Sequence, residues 1–109
     1  MTQRRAPRPR ALRWSAAAVA DLETFLDSLD AMSSERSLTF ESELRAGLAP
    51  LRQFPEMGRV PRDYDWRSAG FENLREVLVW DYRVGYLVAH RVVEIVYLVH
   101  GKRRFPPLR

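Results

Sequence analysis

Val92-Val93-Glu94-Ile95-Val96-Tyr97-Leu98-Val99 runs directly into His100-Gly101-Lys102-Arg103-Arg104, and this passage decides the fold. A near-continuous β-branched apolar run reads as a strand covered on both faces, at the centre of a sheet. The cations at its end are then held in place by a rigid element, which is how a small protein presents a basic site to phosphate or to an acidic partner.

Working backwards, two further strand signals precede it, at residues 74–80 and 82–89. The links at Asp81 and at His90-Arg91 leave room only for hairpins, so residues 74–99 form a three-stranded antiparallel meander. Alternation puts Tyr82, Val84, Tyr86 and Val88 on one face and Arg83, Gly85, Leu87 and Ala89 on the other. Gly85, in mid-strand, permits a bulge or the close approach of another chain. Before the meander, Phe54 to Pro61 is turn material and the loop extends to about Gly70.

Upstream lie two helices. Ser15 suits an N-cap for a helix over 16–29, whose apolar stripe is Val19, Leu22, Leu26 and Leu29. Ser33 or Ser34 caps a second helix reaching about residue 49, with Phe40, Leu44, Leu48 and Leu51 on one face. Gly47 weakens that helix and Pro50 kinks or ends it. Residues 10–14 alternate as a short first strand with Leu12 and Trp14 inward. The fold class is α+β: an N-terminal strand, a two-helix antiparallel hairpin, then the meander, with the helices on one face of a single sheet. Residues 1–9 read as a flexible basic arm and 10–109 as one domain.

Composition narrows the chemistry. The 109 residues carry a formal charge of +4 and 46% hydrophobic side chains, with no cysteine, so disulfide scaffolds and cysteine-ligated zinc are excluded. Asp21 arrives too early for a signal peptide and no stretch has the length of a membrane span, so a cytoplasmic protein without membrane contact is expected. Charge is unevenly laid out: residues 15–49 hold seven acids against Arg36 and Arg45, while the arm and the strand-rich part are basic. An anionic partner for one sheet face or edge follows. Lys102 is the one lysine among 18 cations, and arginine clamps anions well but shuttles protons poorly at neutral pH. GC-rich coding produces the same bias. No metal-ligand spacing, glycine-rich phosphate loop or serine–histidine arrangement stands out, and no cofactor is expected.

The element order, the Pro55-Glu56-Met57-Gly58-Arg59 turn after the second helix, Tyr82-Arg83-Val84 opening the third strand, and Val99-His100-Gly101-Lys102-Arg103-Arg104 closing the last resemble the RelE/ParE superfamily of bacterial type II toxins. The resemblance covers roughly residues 10–105. It implies a toxin held inactive by a cognate antitoxin, with two possible mechanisms. ParE-like members inhibit DNA gyrase and are not known as enzymes; RelE-like members cut messenger RNA on the ribosome. A nuclease needs cations on the phosphate and groups to move protons. If this chain were one, Arg75, Arg83, His100 and Arg103 would carry the reaction. However, Val77 and Val79 stand where a further strand cation is expected, and Phe105-Pro106-Pro107-Leu108-Arg109 offers neither tyrosine nor histidine.

The expectation is therefore a ParE-like gyrase inhibitor, with the RelE-like nuclease and a non-toxic nucleic-acid-binding module as alternatives. Target-binding candidates are Arg75, Arg83, Lys102, Arg103, Arg104 and Trp80. Antitoxin-binding candidates are Leu22, Leu26, Leu44, Leu48, Arg83 and Arg103. His100 reads first as a strand-end residue fixing the Gly101 turn, and His90 as an exposed turn residue. Trp66, Trp80, Tyr82, Tyr86 and Tyr97 are candidate stacking surfaces for bases, though most are expected in the core. Arg83→Ala and Arg103→Ala are expected to lower toxicity and leave the fold intact, as exposed charges do.

Overall fold

The structure is a computed structural model that describes residues 8–62 and 65–101. Its elements are β1 (Ala11–Trp14), α1 (Ala16–Met32), α2 (Ser34–Leu48), two short 3-10 turns (Ala49–Arg52 and Pro55–Met57), β2 (Leu74–Val79), β3 (Tyr82–Val88) and β4 (Val92–His100). They make one four-stranded sheet in the order β1-β4-β3-β2. β4 is central, parallel to β1 and antiparallel to β3. The apolar run therefore lies where its composition put it.

Serines set the helices. Ser15 Oγ accepts the Ala18 N–H at 3.1 Å and starts α1. Ser33 serves both helices: its N–H donates to the Leu29 carbonyl at 2.8 Å, and its Oγ accepts the Arg36 N–H at 3.2 Å. One extended residue thus closes α1 and opens α2, and each serine cap contributes on the order of 1 kcal/mol. α2 gives way to the 3-10 turn at Ala49, next to Pro50, whose ring cannot continue an α-helix. Gly47 has a packing purpose: a Cβ there would lie 3.3 Å from Val79 Cγ2, so glycine lets α2 settle against β2.

The core lies between the helices and one sheet face. Phe40, Leu44, Leu48 and Leu51 meet Val79, Val84, Tyr86, Val93, Ile95 and Leu98. The α1 stripe is rotated from the expected one. Val19 is exposed, whereas Ala18 and Leu29 are buried and Leu22, Phe25 and Leu26 are half-buried against the core. Phe25 turns the helix this way, because its ring meets Phe40 at 4.7 Å and Tyr82 at 4.1 Å. Leu44 and Leu48 are correspondingly core residues, 3% and 2% exposed, and do not offer the antitoxin a surface as expected.

β2 ends at Val79 rather than residue 80 because Trp80 adopts a left-handed backbone, φ 53°. That conformation costs a tryptophan roughly 1–2 kcal/mol. The side chain offsets it by packing edge-on against Phe40 at 4.9 Å and donating from Nε1 to Glu43 Oε1 at 3.2 Å.

The β3–β4 pairing slips at Gly85/Tyr86: Gly85 lies opposite Tyr97, but Tyr86 lies opposite Ile95. Val96 is the extra residue of a bulge, which re-aims every side chain after it. Val93 and Ile95 face the helices, as does Leu98, while Tyr97 turns to the opposite face. Gly85 supplies the close approach anticipated for it, with an occupant from its own chain: a Cβ there would overlap the Tyr97 ring.

Candidate functional site

The sheet face away from the helices carries an ionic cluster centred on Glu76. Glu76, Gly85 and Tyr97 form one row across β2, β3 and β4. Because Gly85 has no side chain, Tyr97 lies across it, and its hydroxyl donates to Glu76 Oε2 at 2.5 Å. Arg83 reaches the same oxygen with Nε at 2.8 Å and Nη2 at 2.7 Å. Arg59, from the loop beside the sheet edge, donates from Nη2 to Oε1 at 3.3 Å. The Glu76 side chain is wholly buried and that of Arg83 is 7% exposed, whereas that of Arg59 is 60% exposed.

The turn that delivers Arg59 is fixed from both sides of the sheet. Arg59 pairs with Glu76 through two backbone hydrogen bonds of 2.9 and 2.8 Å, covering part of the open edge of β2. Behind it, the buried Tyr86 hydroxyl donates to the Pro55 carbonyl at 2.6 Å and accepts the Gly58 N–H at 2.9 Å. A Cβ at Gly58 would strike that hydroxyl and the Glu76 carbonyl, so the turn needs glycine there. Arg75 Nη1 binds the carbonyls of Glu56 and Gly58 at 3.2 and 2.8 Å. Burial pushes the Tyr86 phenol up from its usual range, against the opposing pull of the Gly58 N–H and of Arg75. Tyr82 is also pushed up, first by burial and then by the charge of Asp81.

Two grooves meet at Arg59 and Arg83. One, of about 500 Å³, runs between the Arg59–Arg62 loop and Glu76. The other, of about 480 Å³, passes Leu78, Trp80, Asp81 and His100. Leu78 is exposed in it. His100 is exposed at the end of β4 with its ring edge-on to Tyr82 at 5.5 Å. The Gly101 N–H donates to the Asp81 carbonyl at 2.6 Å and closes the turn. His90 is exposed in its turn.

The expected site residues separate on this map. Arg83 is in the cluster but buried on a carboxylate, so the exposed clamp expected of it is corrected. Arg75 is spent on turn carbonyls. Trp80 is half-buried against α2, with the Arg36 guanidinium 5.5 Å from its ring centroid. Leu22 and Leu26 are half-buried on α1, on the same stripe that packs on the core. Trp66 stacks on Tyr97, centroids 5.7 Å apart and planes 20° from parallel. Lys102, Arg103 and Arg104, the tail to Arg109 and arm residues 1–7 lie outside the described residues. Among the described residues no group of three metal-ligating side chains gathers, and no helix is long and apolar enough to cross a membrane.

Glu76, Arg59 and Tyr97 were not anticipated as a group. One signal was available: Glu76 is a lone acid in an apolar strand, and hairpin pairing sets it across from a glycine, beside Arg83. The bulge that brings in Tyr97 has no comparable mark in the sequence.

The family model for the ParE toxin of the type II toxin–antitoxin system, parDE, matches residues 12–105. The chain belongs to this family. Its place in the ParE family makes it the toxin component of a type II toxin–antitoxin system, whose other half is a cognate antitoxin. The fold is that of a solved structure described as the chromosomal ParDE TA system from P. aeruginosa, with a TM-score of 0.65. That likeness spans 84% of this chain and 95% of the other at 19% identity. No curated protein sequence matches significantly. The ParE family match takes in β1 through β4, and so includes the Glu76 cluster as well as the His100-Gly101 ending.

Proposed function

We propose that this ParE-family toxin acts in the cytoplasm by gripping DNA gyrase rather than by cutting RNA, and that a cognate antitoxin neutralises it. The observation that carries this reading is the closure of Arg83 on Glu76. A phosphate undergoing cleavage needs free positive charge beside it and a group to take the 2′-hydroxyl proton. Here the cation best placed on the open face is buried and matched by a carboxylate, and that carboxylate already receives three short hydrogen bonds at one oxygen. With three donors already on it, that oxygen has no room to receive a 2′-hydroxyl as well. The groove beside this cluster still offers Arg59, Leu78, Trp80 and His100 to a protein surface.

Inducing the chain alone in bacteria while following labelled precursors tests the proposal. The expected result is an early stop in DNA synthesis with induction of the SOS response. An immediate stop in protein synthesis would favour messenger RNA cleavage and overturn it.

A further inference from the structure

We propose that Glu76 is a built-in counter-anion in a phosphate-binding position, and that removing its carboxylate opens an oxyanion site formed by Arg59, Arg83 and Tyr97. Its Oε2 is surrounded as a phosphate oxygen would be: two guanidinium N–H groups and a phenol O–H converge on it within 2.5–2.8 Å. Arg59 reaches the second oxygen from the other side. Charged donors on an oxyanion make the strongest hydrogen bonds a protein offers, and the guanidinium fork suits phosphate as well as carboxylate.

The backbones that carry these donors, and the Tyr97 ring, are placed by contacts other than the Glu76 carboxylate. Arg83 stands on β3, next to the central strand. Tyr97 is aimed by the Val96 bulge and held between Gly85 beneath it and the stacked Trp66 ring. The backbone of Arg59 is bonded to the edge of β2. There is also a way in: the groove of about 500 Å³ beside Glu76 is lined by Arg59, Arg62 and Arg83. The ligand class is the phosphate oxyanion, whether free or in a nucleic-acid backbone.

This inference rests on the non-cleaving reading above, since Glu76 is what withdraws these cations from a nucleic-acid phosphate. The test uses the full chain carrying Glu76→Ala, melted in sodium phosphate and in sodium chloride at equal ionic strength. A ligand that binds only the folded state raises its melting temperature with concentration. The variant should gain several degrees more in phosphate than the unaltered chain, whose own rise is the general kosmotropic effect of the salt, and adding Arg59→Ala should abolish that excess. If Glu76→Ala is unfolded in chloride, cooperative melting regained in phosphate, and not regained when Arg59→Ala is added, is the same positive result. A variant that responds no more than the unaltered chain, or that phosphate cannot refold, overturns the proposal. A short single-stranded RNA is the second probe. Binding at least tenfold tighter to Glu76→Ala than to the unaltered chain extends the ligand to a phosphodiester, whereas a response to inorganic phosphate alone restricts it to the free ion. Messenger RNA cleavage by the unaltered chain would defeat the non-cleaving reading separately, without changing what phosphate does to the variant.

Discussion

Arg83 shows how burial changes the meaning of a charge. On the surface its loss would cost a few tenths of a kcal/mol. Buried on Glu76, its removal leaves an interior carboxylate with only the Tyr97 hydroxyl and the largely exposed Arg59 to offset it, which costs up to about 3–5 kcal/mol. Arg83→Ala is therefore expected to lower the urea midpoint sharply, contrary to the intact fold anticipated from the sequence, and a loss under about 1 kcal/mol would show that the pair is not truly desolvated. Gly85 makes a complementary prediction from its missing side chain. Gly85→Ala pushes a methyl group into the Tyr97 ring and must displace the tyrosine from Glu76. Overpacking of this kind costs about 1–3 kcal/mol. An increase in Tyr97 solvent exposure, read by its near-ultraviolet absorbance, should accompany the loss, and a variant with unchanged stability and absorbance would contradict the tight contact.

At the scale of elements, joints matter more than lengths. Ser33 alone separates α1 from α2, and Ser33→Ala removes the side-chain cap of α2 while keeping the backbone bond that closes α1. The expected loss is about 1 kcal/mol, with faster amide exchange at Arg36 and unchanged exchange in the middle of α1; acceleration along both helices would show a shared cooperative unit instead. The helices, the strands and the apolar run of β4 were legible in the sequence because serine caps and hydrophobic period are local signals. The rotation of α1 was not, since Phe25 is chosen over Val19 only by rings on α2 and β3. Half of the candidate site was hidden for a related reason. Arg83 could be placed on the open face by counting along β3, but its partner and its burial follow from cross-strand register. Tyr97 reaches the cluster only because the bulge at Val96 shifts the alternation of β4 by one.

Over the whole molecule, the sheet separates two kinds of interior, an apolar one under the helices and an ionic one on the far face. Tyr86 connects them, since its ring is in the apolar core and its hydroxyl holds the Pro55–Gly58 turn that supplies Arg59. This connection gives the fold a defined response to alkali. Tyr82 and Tyr86 both have phenols raised above the ordinary value of 10.0 in the folded state. Above pH 10 the unfolded chain then gives up protons that the folded chain keeps, so the unfolded state binds fewer protons and stability falls as pH rises. The contribution is complete below pH 10.0, the unfolded value, and is lost as pH climbs through the raised folded values. Tyr86→Phe should flatten part of that alkaline decline. It should also cost on the order of 1–3 kcal/mol at neutral pH, because the Gly58 N–H and the Pro55 carbonyl lose their buried partner. Melting curves from pH 8 to pH 11 for both proteins separate the two effects. An alkaline slope identical in Tyr86→Phe and the unaltered chain would show that the Tyr86 phenol ionises as readily in the fold as outside it, and equal stability at neutral pH would show that the turn carrying Arg59 is held without it.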